Sequence, residues 1–196
     1  MAEVGRDNGC GRAMWEYEPR LDRFGTPMAL MLLPYFTDGC IGSMEGLYFE
    51  ASSTTPFHFI NQSELSTKPS RAQRDLPYTE FNLDAGIRHL QLMGVKYFLA
   101  STPETVAVAR AHPELTELAS TETFDVADKD TQQSTTRQWV ALEVADADQV
   151  VPLSNLPVVI TPEDDHIDGW VYDEERPEAV EGQQGTVPKS SGPAVE

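Results

Sequence analysis

The chain has 196 residues, 40% of them hydrophobic and 9% aromatic, which is enough for one cored domain with tails. Its 32 acidic side chains outweigh 14 Lys and Arg to leave a net charge of −18. That balance excludes a nucleic-acid binder and a protein held to anionic lipid by a basic patch, because phosphates would be repelled. No apolar run approaches the ~20 residues of a membrane span. Residues 1–11 lack the basic-then-apolar order of a secretory leader, so the chain is either cytosolic or targeted by elements outside these residues.

Residues 1–10 are polar and glycine-containing and read as a flexible N-terminus. Arg12–Glu18 alternates as a strand with Trp15 and Tyr17 on one face. Pro19–Gly25 reads as a turn. Thr26-Pro27 then opens a helix over Met28–Leu33 that is nearly all apolar, must be buried, and ends at Pro34. Thr37–Thr55 is a loop rich in glycine, serine and threonine with an aromatic insert, Leu47-Tyr48-Phe49. Pro56–Ile60 adds an aromatic cluster, and Asn61–Tyr78 reads as a long irregular connection.

The strongest local signal lies between Asn82 and Ser101. Leu83, Ile87, Leu90 and Gly94 keep one helical face, with Asn82 as N-cap and Gly94 as a left-handed stop. From Val95 the period changes to two, with Val95, Tyr97 and Leu99 on one side and Lys96, Phe98 and Ala100 on the other. Apolar residues on both sides predict a central strand covered on both faces. Thr102-Pro103-Glu104 opens a second helix that ends at His112-Pro113. Leu115–Val126 reads as extended, Ala127–Thr136 as a hairpin loop and Arg137–Val144 as a strand, with shorter strands over Gln149–Leu153 and Leu156–Ile160. From Glu163 the composition turns acidic and then rich in Gly, Pro and Ser, which predicts a disordered tail.

The pattern gives an α/β domain, with α+β as the neighbouring class: a small mixed sheet with flanking helices and long irregular loops, over residues 11–162, followed by the tail 163–196. Chemistry-bearing motifs are sparse. There is no G-x-S-x-G, phosphate loop or dinucleotide fingerprint, and no catalytic residue, cofactor or metal is assigned. Cys10 and Cys40 match no metal spacing; they either bridge two loops in an oxidising compartment or are buried thiols in a reducing one. His58, between two phenylalanines, belongs to an aromatic cluster, His89 faces solvent, and His112 sits at a helix end. His166 lies in an acidic turn whose carboxylates lack a calcium-loop spacing. Asn61-Gln62-Ser63 fits a glycosylation acceptor. Glu45 and Glu50 flank Tyr48 in a mix of acids and rings that suits a sugar surface and equally a packed hairpin.

A resemblance enters through Gly11-Arg12, Trp15-Glu16, Gly25-Thr26-Pro27, Leu33-Pro34 and Met44-Glu45-Gly46-Leu47, together with Leu92–Leu99 and Leu153–Pro157. These segments, within Gly11–Ile160, resemble extracytoplasmic parts of large actinobacterial polytopic membrane proteins of the GT-C glycosyltransferase-like group. The resemblance implies a non-catalytic soluble domain on the outer face of the cell membrane. Its partners would be a membrane-embedded portion of the same or a second protein, or envelope glycan. Glu45, Tyr48, Glu50, Phe57 and His58 are the expected contact residues, and without its membrane portion the domain would expose an apolar patch around Met28–Phe36. The alternative is a small cytosolic α/β interaction protein with an acidic tail.

Overall fold

The computed structural model describes residues 1–19, 26–44, 55–127 and 133–150, all within a compact unit running from Met1 to Val159. The expected strands at Gln149–Leu153 and Leu156–Ile160 and the tail from Glu163 lie largely or wholly outside the described residues.

The described residues form a mixed α/β fold. Strand β1 (Gly11–Trp15) is its centre of organisation. It pairs in parallel with β2 (Ile41–Ser43) on one side and with β3 (Tyr97–Ala100) on the other. Beyond β3 the sheet turns antiparallel through β7 (Val140–Val144) and β4 (Leu115–Ser120), giving the order β2-β1-β3-β7-β4. A separate two-stranded ribbon joins β5 (Phe124–Ala127) to β6 (Ser134–Arg137). The extended stretch and the strand expected here are therefore each divided. Leu115–Val126 becomes β4 and β5, and Arg137–Val144 holds the end of β6 and then β7.

Both faces of the sheet are buried along β3 and its neighbours β1 and β7, as the all-apolar run of β3 requires, while the edge strand β4 is largely exposed. Met14, Phe98, Ala100, Val140, Leu142 and Val144 point to one side. There they meet Leu65 of α3 (Thr55–Leu65), Ile87 and Leu90 of α4 (Leu83–Leu92), and Val106 and Ala109 of α5 (Pro103–Ala111). Ala13, Trp15, Tyr97, Leu99 and Ala141 point to the other side, against Val4 of α1 (Ala2–Asn8) and Leu33 of α2 (Leu33–Phe36). Val95 precedes the strand proper and packs with Phe98 rather than with Tyr97.

The caps read from sequence are present. Asn82 accepts a hydrogen bond from the Ala85 amide at 3.1 Å, and the Thr102 side chain accepts one from Thr105. Gly94 takes φ +60°, and a Cβ there would also meet the backbone of Asp148 and Gln149 at 3.0 Å.

Several expectations are corrected. Residues 1–10 hold helix α1, which buries Val4 and Gly5. The Lys96 ammonium on the Asn8 carbonyl and the Tyr97 hydroxyl on the Gly9 carbonyl fix its C-terminal end. Pro34 does not end a helix; it lies in the first turn of α2, after a 3₁₀ turn over Ala29–Leu32, where its missing N–H costs nothing. The apolar run before it is only partly buried: Leu33 alone lies in the core, Leu30 and Met31 pack against the core from its edge, and Leu32 stands half in solvent.

The loop Thr37–Thr55 contains β2, and α3 occupies Thr55–Leu65 where a cluster and an irregular connection were expected. The signal for α3 was the Thr55-Pro56 pair, the same threonine–proline start as at 102–103. It is hidden because Asn61, Gln62, Ser63 and Glu64 are buried together with Phe59 and Ile60, so no apolar stripe marks the helix.

Cys10 and Cys40 form a disulfide with their Cα atoms 4.6 Å apart. It clamps the start of β1 to the residue before β2, beside the Gly11 amide bond to the Cys40 carbonyl.

Helix α3 crosses α4 with backbone-close packing at Gly86, where an added Cβ would lie 2.6 Å from a methyl carbon of Leu65 and 3.3 Å from the Glu64 side chain. Gly86→Ala is expected to destabilise the domain by about 1–3 kcal/mol through overpacking, despite alanine's better helix propensity. Urea unfolding of the two proteins measures it, and an unchanged or raised midpoint would contradict this packing.

Candidate functional site

The connection from β1 to β2 runs over the α1/α2 face, while the connection from β2 to β3 runs over the α3/α4 face. Strands β1 and β3 are therefore neighbours whose connections leave on opposite sides. In open α/β sheets, ligands sit in the crevice at the carboxyl ends of such a strand pair. Here those ends are Glu16–Glu18 and Ser101–Thr102, followed directly by the N-terminus of α5.

The crevice is filled by the chain itself. Glu16 continues β1, its amide donating to the Leu99 carbonyl at 2.9 Å, and its side chain lies on the Met14 side, fully buried. One carboxylate oxygen accepts from the backbone amides of Ser101 at 2.8 Å and Thr102 at 2.9 Å. The other accepts from the hydroxyls of Thr102 at 2.6 Å and Thr105 at 2.8 Å. The two backbone amides that lead into α5 are thus satisfied by a carboxylate carried on β1, while the first-turn Thr105 amide is taken by the Thr102 hydroxyl. Burial pushes the Glu16 carboxyl above its ordinary value, and the four donors pull it back only in part.

Around this centre lie further buried polar groups. The Tyr17 amide donates to Ser66 Oγ at 2.9 Å, tying the end of β1 to the residue after α3. Arg137 Nη2 reaches Glu18 at 3.1 Å, both side chains almost wholly out of water, and so anchors the β5–β6 ribbon to the same edge. Ser101 Oγ and Arg137 Nε are buried there with no hydrogen-bond partner among the described residues.

Of the expected contact residues, Glu45, Tyr48 and Glu50 lie outside the described residues. Phe57 and His58 are adjacent on α3 but do not share a surface. Phe57 is 40% exposed, whereas His58 is buried with its ring 4.9 Å from that of Phe59. His58 is thus a core side chain, as its aromatic neighbours suggested, and is corrected as a contact residue.

Asn61 is also corrected as a glycosylation acceptor. It is fully buried, and its amide donates to the Gly86 carbonyl at 2.9 Å and to Glu64 at 3.3 Å. His89, expected in solvent, is mostly covered and bonds the buried Glu64 at 2.7 Å. His112 reaches Asp84 at 3.1 Å, so the end of α5 is held to the start of α4.

At the opposite end of the sheet an open depression of about 330 Å³ is lined by Lys96, Thr116, Glu143, Asp146 and Asp148. The Lys96 ammonium there is already engaged by Glu143 at 3.4 Å and by Asn8. Among the described residues, no three His, Cys, Asp or Glu side chains converge to hold a metal, and no helix is long and apolar enough to cross a membrane.

Sequence reading passed over Glu16, Glu18, Glu64 and Arg137. The usable signal was the alternation in Arg12–Glu18, which puts Glu16 on the same face as buried Met14. The Thr-x-x-Thr at 102–105 supplies the hydroxyls it needs. Comparison with family models, curated proteins and solved structures finds no match to this chain.

Two variants test the Glu16 arrangement. Glu16→Ala leaves four donors to be rehydrated and is expected to cost at least about 2 kcal/mol. For Glu16→Gln the pH dependence is diagnostic. The folded carboxyl titrates above its unfolded value, so the native state holds the proton to higher pH. Wild-type stability falls as pH rises from the ordinary 4.5 to the raised value. The stability difference, wild type minus Glu16→Gln, should therefore decline across that window in chemical unfolding, and a flat or rising difference would refute the assignment.

Proposed function

We propose that this chain is a non-catalytic extracytoplasmic domain of a membrane glycosyltransferase-like protein, which contacts the membrane-embedded portion or the envelope glycan it works on. The observation that carries the reading is the Cys10–Cys40 disulfide. Disulfides of this structural kind persist in oxidising compartments and are rare in the cytosol, where thiol reductants dominate. The bridge lies outside the sheet core, with Cys10 exposed and Cys40 partly so. A reducing environment would therefore reach it.

The non-catalytic part of the reading is supported by the crevice between β1 and β3. The position where an α/β sheet ordinarily receives a ligand is occupied by the carboxylate of Glu16, with its oxygens committed to four donors. The resemblance to GT-C-type extracytoplasmic segments supplies the sugar-transfer context. The proposed contact residues are Phe57, which reaches solvent near the start of α3, and Glu45, Tyr48 and Glu50 earlier in the chain, outside the described residues.

Fractionation of the native host, probed with an antibody to residues 81–101, tests the reading. A large species confined to the membrane pellet is expected. A free soluble species the size of these 196 residues would overturn it.

A further inference from the structure

Three large apolar side chains stand in solvent within five residues of one another. Leu32 is 49% exposed, Tyr35 77% and Phe36 70%, and the two rings meet edge to face with centroids 5.2 Å apart. Water disfavours such a patch, and a slack segment would turn it inward.

This segment is braced against turning. Leu33 is fixed in the core, and the Thr37 hydroxyl donates to the Leu33 carbonyl at 2.7 Å while accepting from the Ile41 amide at 3.0 Å. The Gly39 amide closes on the Pro34 carbonyl at 2.8 Å through a turn in which Asp38 and Gly39 take φ of 50° and 79°. The next residue, Cys40, is covalently tied to Cys10. The rings are held outward by the core, the turn and the disulfide together.

Charge narrows what they face. Residues 26–37 carry no Asp, Glu, Lys or Arg in a chain that is 23% charged, and Asp38 stands exposed at the rim. The complementary surface has an apolar zone for Leu32 and the ring edges, bordered by a cationic amine for Asp38 and the ring faces. A zwitterionic lipid surface has this layout, with headgroup amines outermost above the acyl boundary, and Tyr and Phe are suited to that depth. An anionic lipid surface would be opposed by the net charge of −18.

We propose that the Leu32–Tyr35–Phe36 cap docks onto a zwitterionic lipid surface, with the rings at headgroup depth and Asp38 against the headgroup amine. The proposal rests on the reading of this chain as a membrane-adjacent domain, but its test is separate.

The probe is phosphatidylcholine vesicles, mixed with the full chain with its disulfide intact and followed by flotation and titration. Wild type is expected to float with the vesicles. Tyr35→Ser/Phe36→Ser is expected to lose about tenfold or more in partitioning with an unchanged melting temperature, since both side chains are exposed. Replacing about half of the lipid with phosphatidylglycerol should weaken wild-type binding several-fold at low salt, with recovery as salt is added.

Absence of co-flotation, equal binding by the double variant, or preference for the anionic vesicles would overturn the proposal. So would self-association that the double variant abolishes in the absence of vesicle binding, which would make a second copy the occupant. Failed vesicle binding leaves the extracytoplasmic reading standing. Free thiols in the host would remove that reading and leave the vesicle result intact.

Discussion

A carboxylate taken out of water has to recover its hydrogen bonds inside the protein, and Glu16 recovers four of them from the single turn that begins α5. That requirement fixes several elements together. Strand β1 must end where Glu16 can reach across β3, the chain must turn into a helix at Thr102, and the helix must present Thr105 on its inner face. Desolvation outweighs these donors and pushes the carboxyl above its ordinary value. The Thr102 hydroxyl that donates to Glu16 also accepts from the Thr105 amide as the N-cap of α5, so the Glu16 network and the helix cap share one side chain.

The other end of β1 is held covalently. The disulfide joins residues 30 apart in sequence and closes the parallel pair β1–β2, a short ladder beginning at Gly11 and Ile41. A loop of that size contributes roughly 2–4 kcal/mol, largely by restricting the unfolded chain. Strand β2 is only three residues long, and the bridge compensates for its short ladder. With a staple at one end and the Glu16 network at the other, β1 fixes the two helical layers that pack on its opposite faces. The geometry that closes the crevice also leaves α2 at the periphery, where its rings meet water.

What could be read from the sequence follows where local chemistry decides the structure. The Asn82 cap, the Gly94 stop, the doubly buried strand 97–100 and the Thr102-Pro103 start are each set by a few adjacent residues, and each is found. Helix α3 was missed because its polar residues are buried by tertiary contacts, including Asn61 to Gly86 and Glu64 to His89, which erase the periodicity. The run at 28–33 misled in the opposite sense. Apolar composition predicts burial, but the brace from Leu33 through Thr37 to the disulfide presents Leu32, Tyr35 and Phe36 to solvent. The disulfide itself was undecided in sequence because compartment and geometry are not written in two isolated cysteines. The Glu16 site needed an 86-residue separation to close, which no local pattern reports.

The domain that emerges has its ligand crevice filled from within and its apolar chemistry on the outside. Both features support the proposed reading of a module that contacts a partner surface. The measurement closest to the central claim is the redox state of Cys10 and Cys40 in the native host, trapped in intact cells with a membrane-permeant mass-tagged maleimide. The account predicts no tag before reduction and two tags after it. Two tags before reduction would place the chain in a reducing compartment and contradict the account.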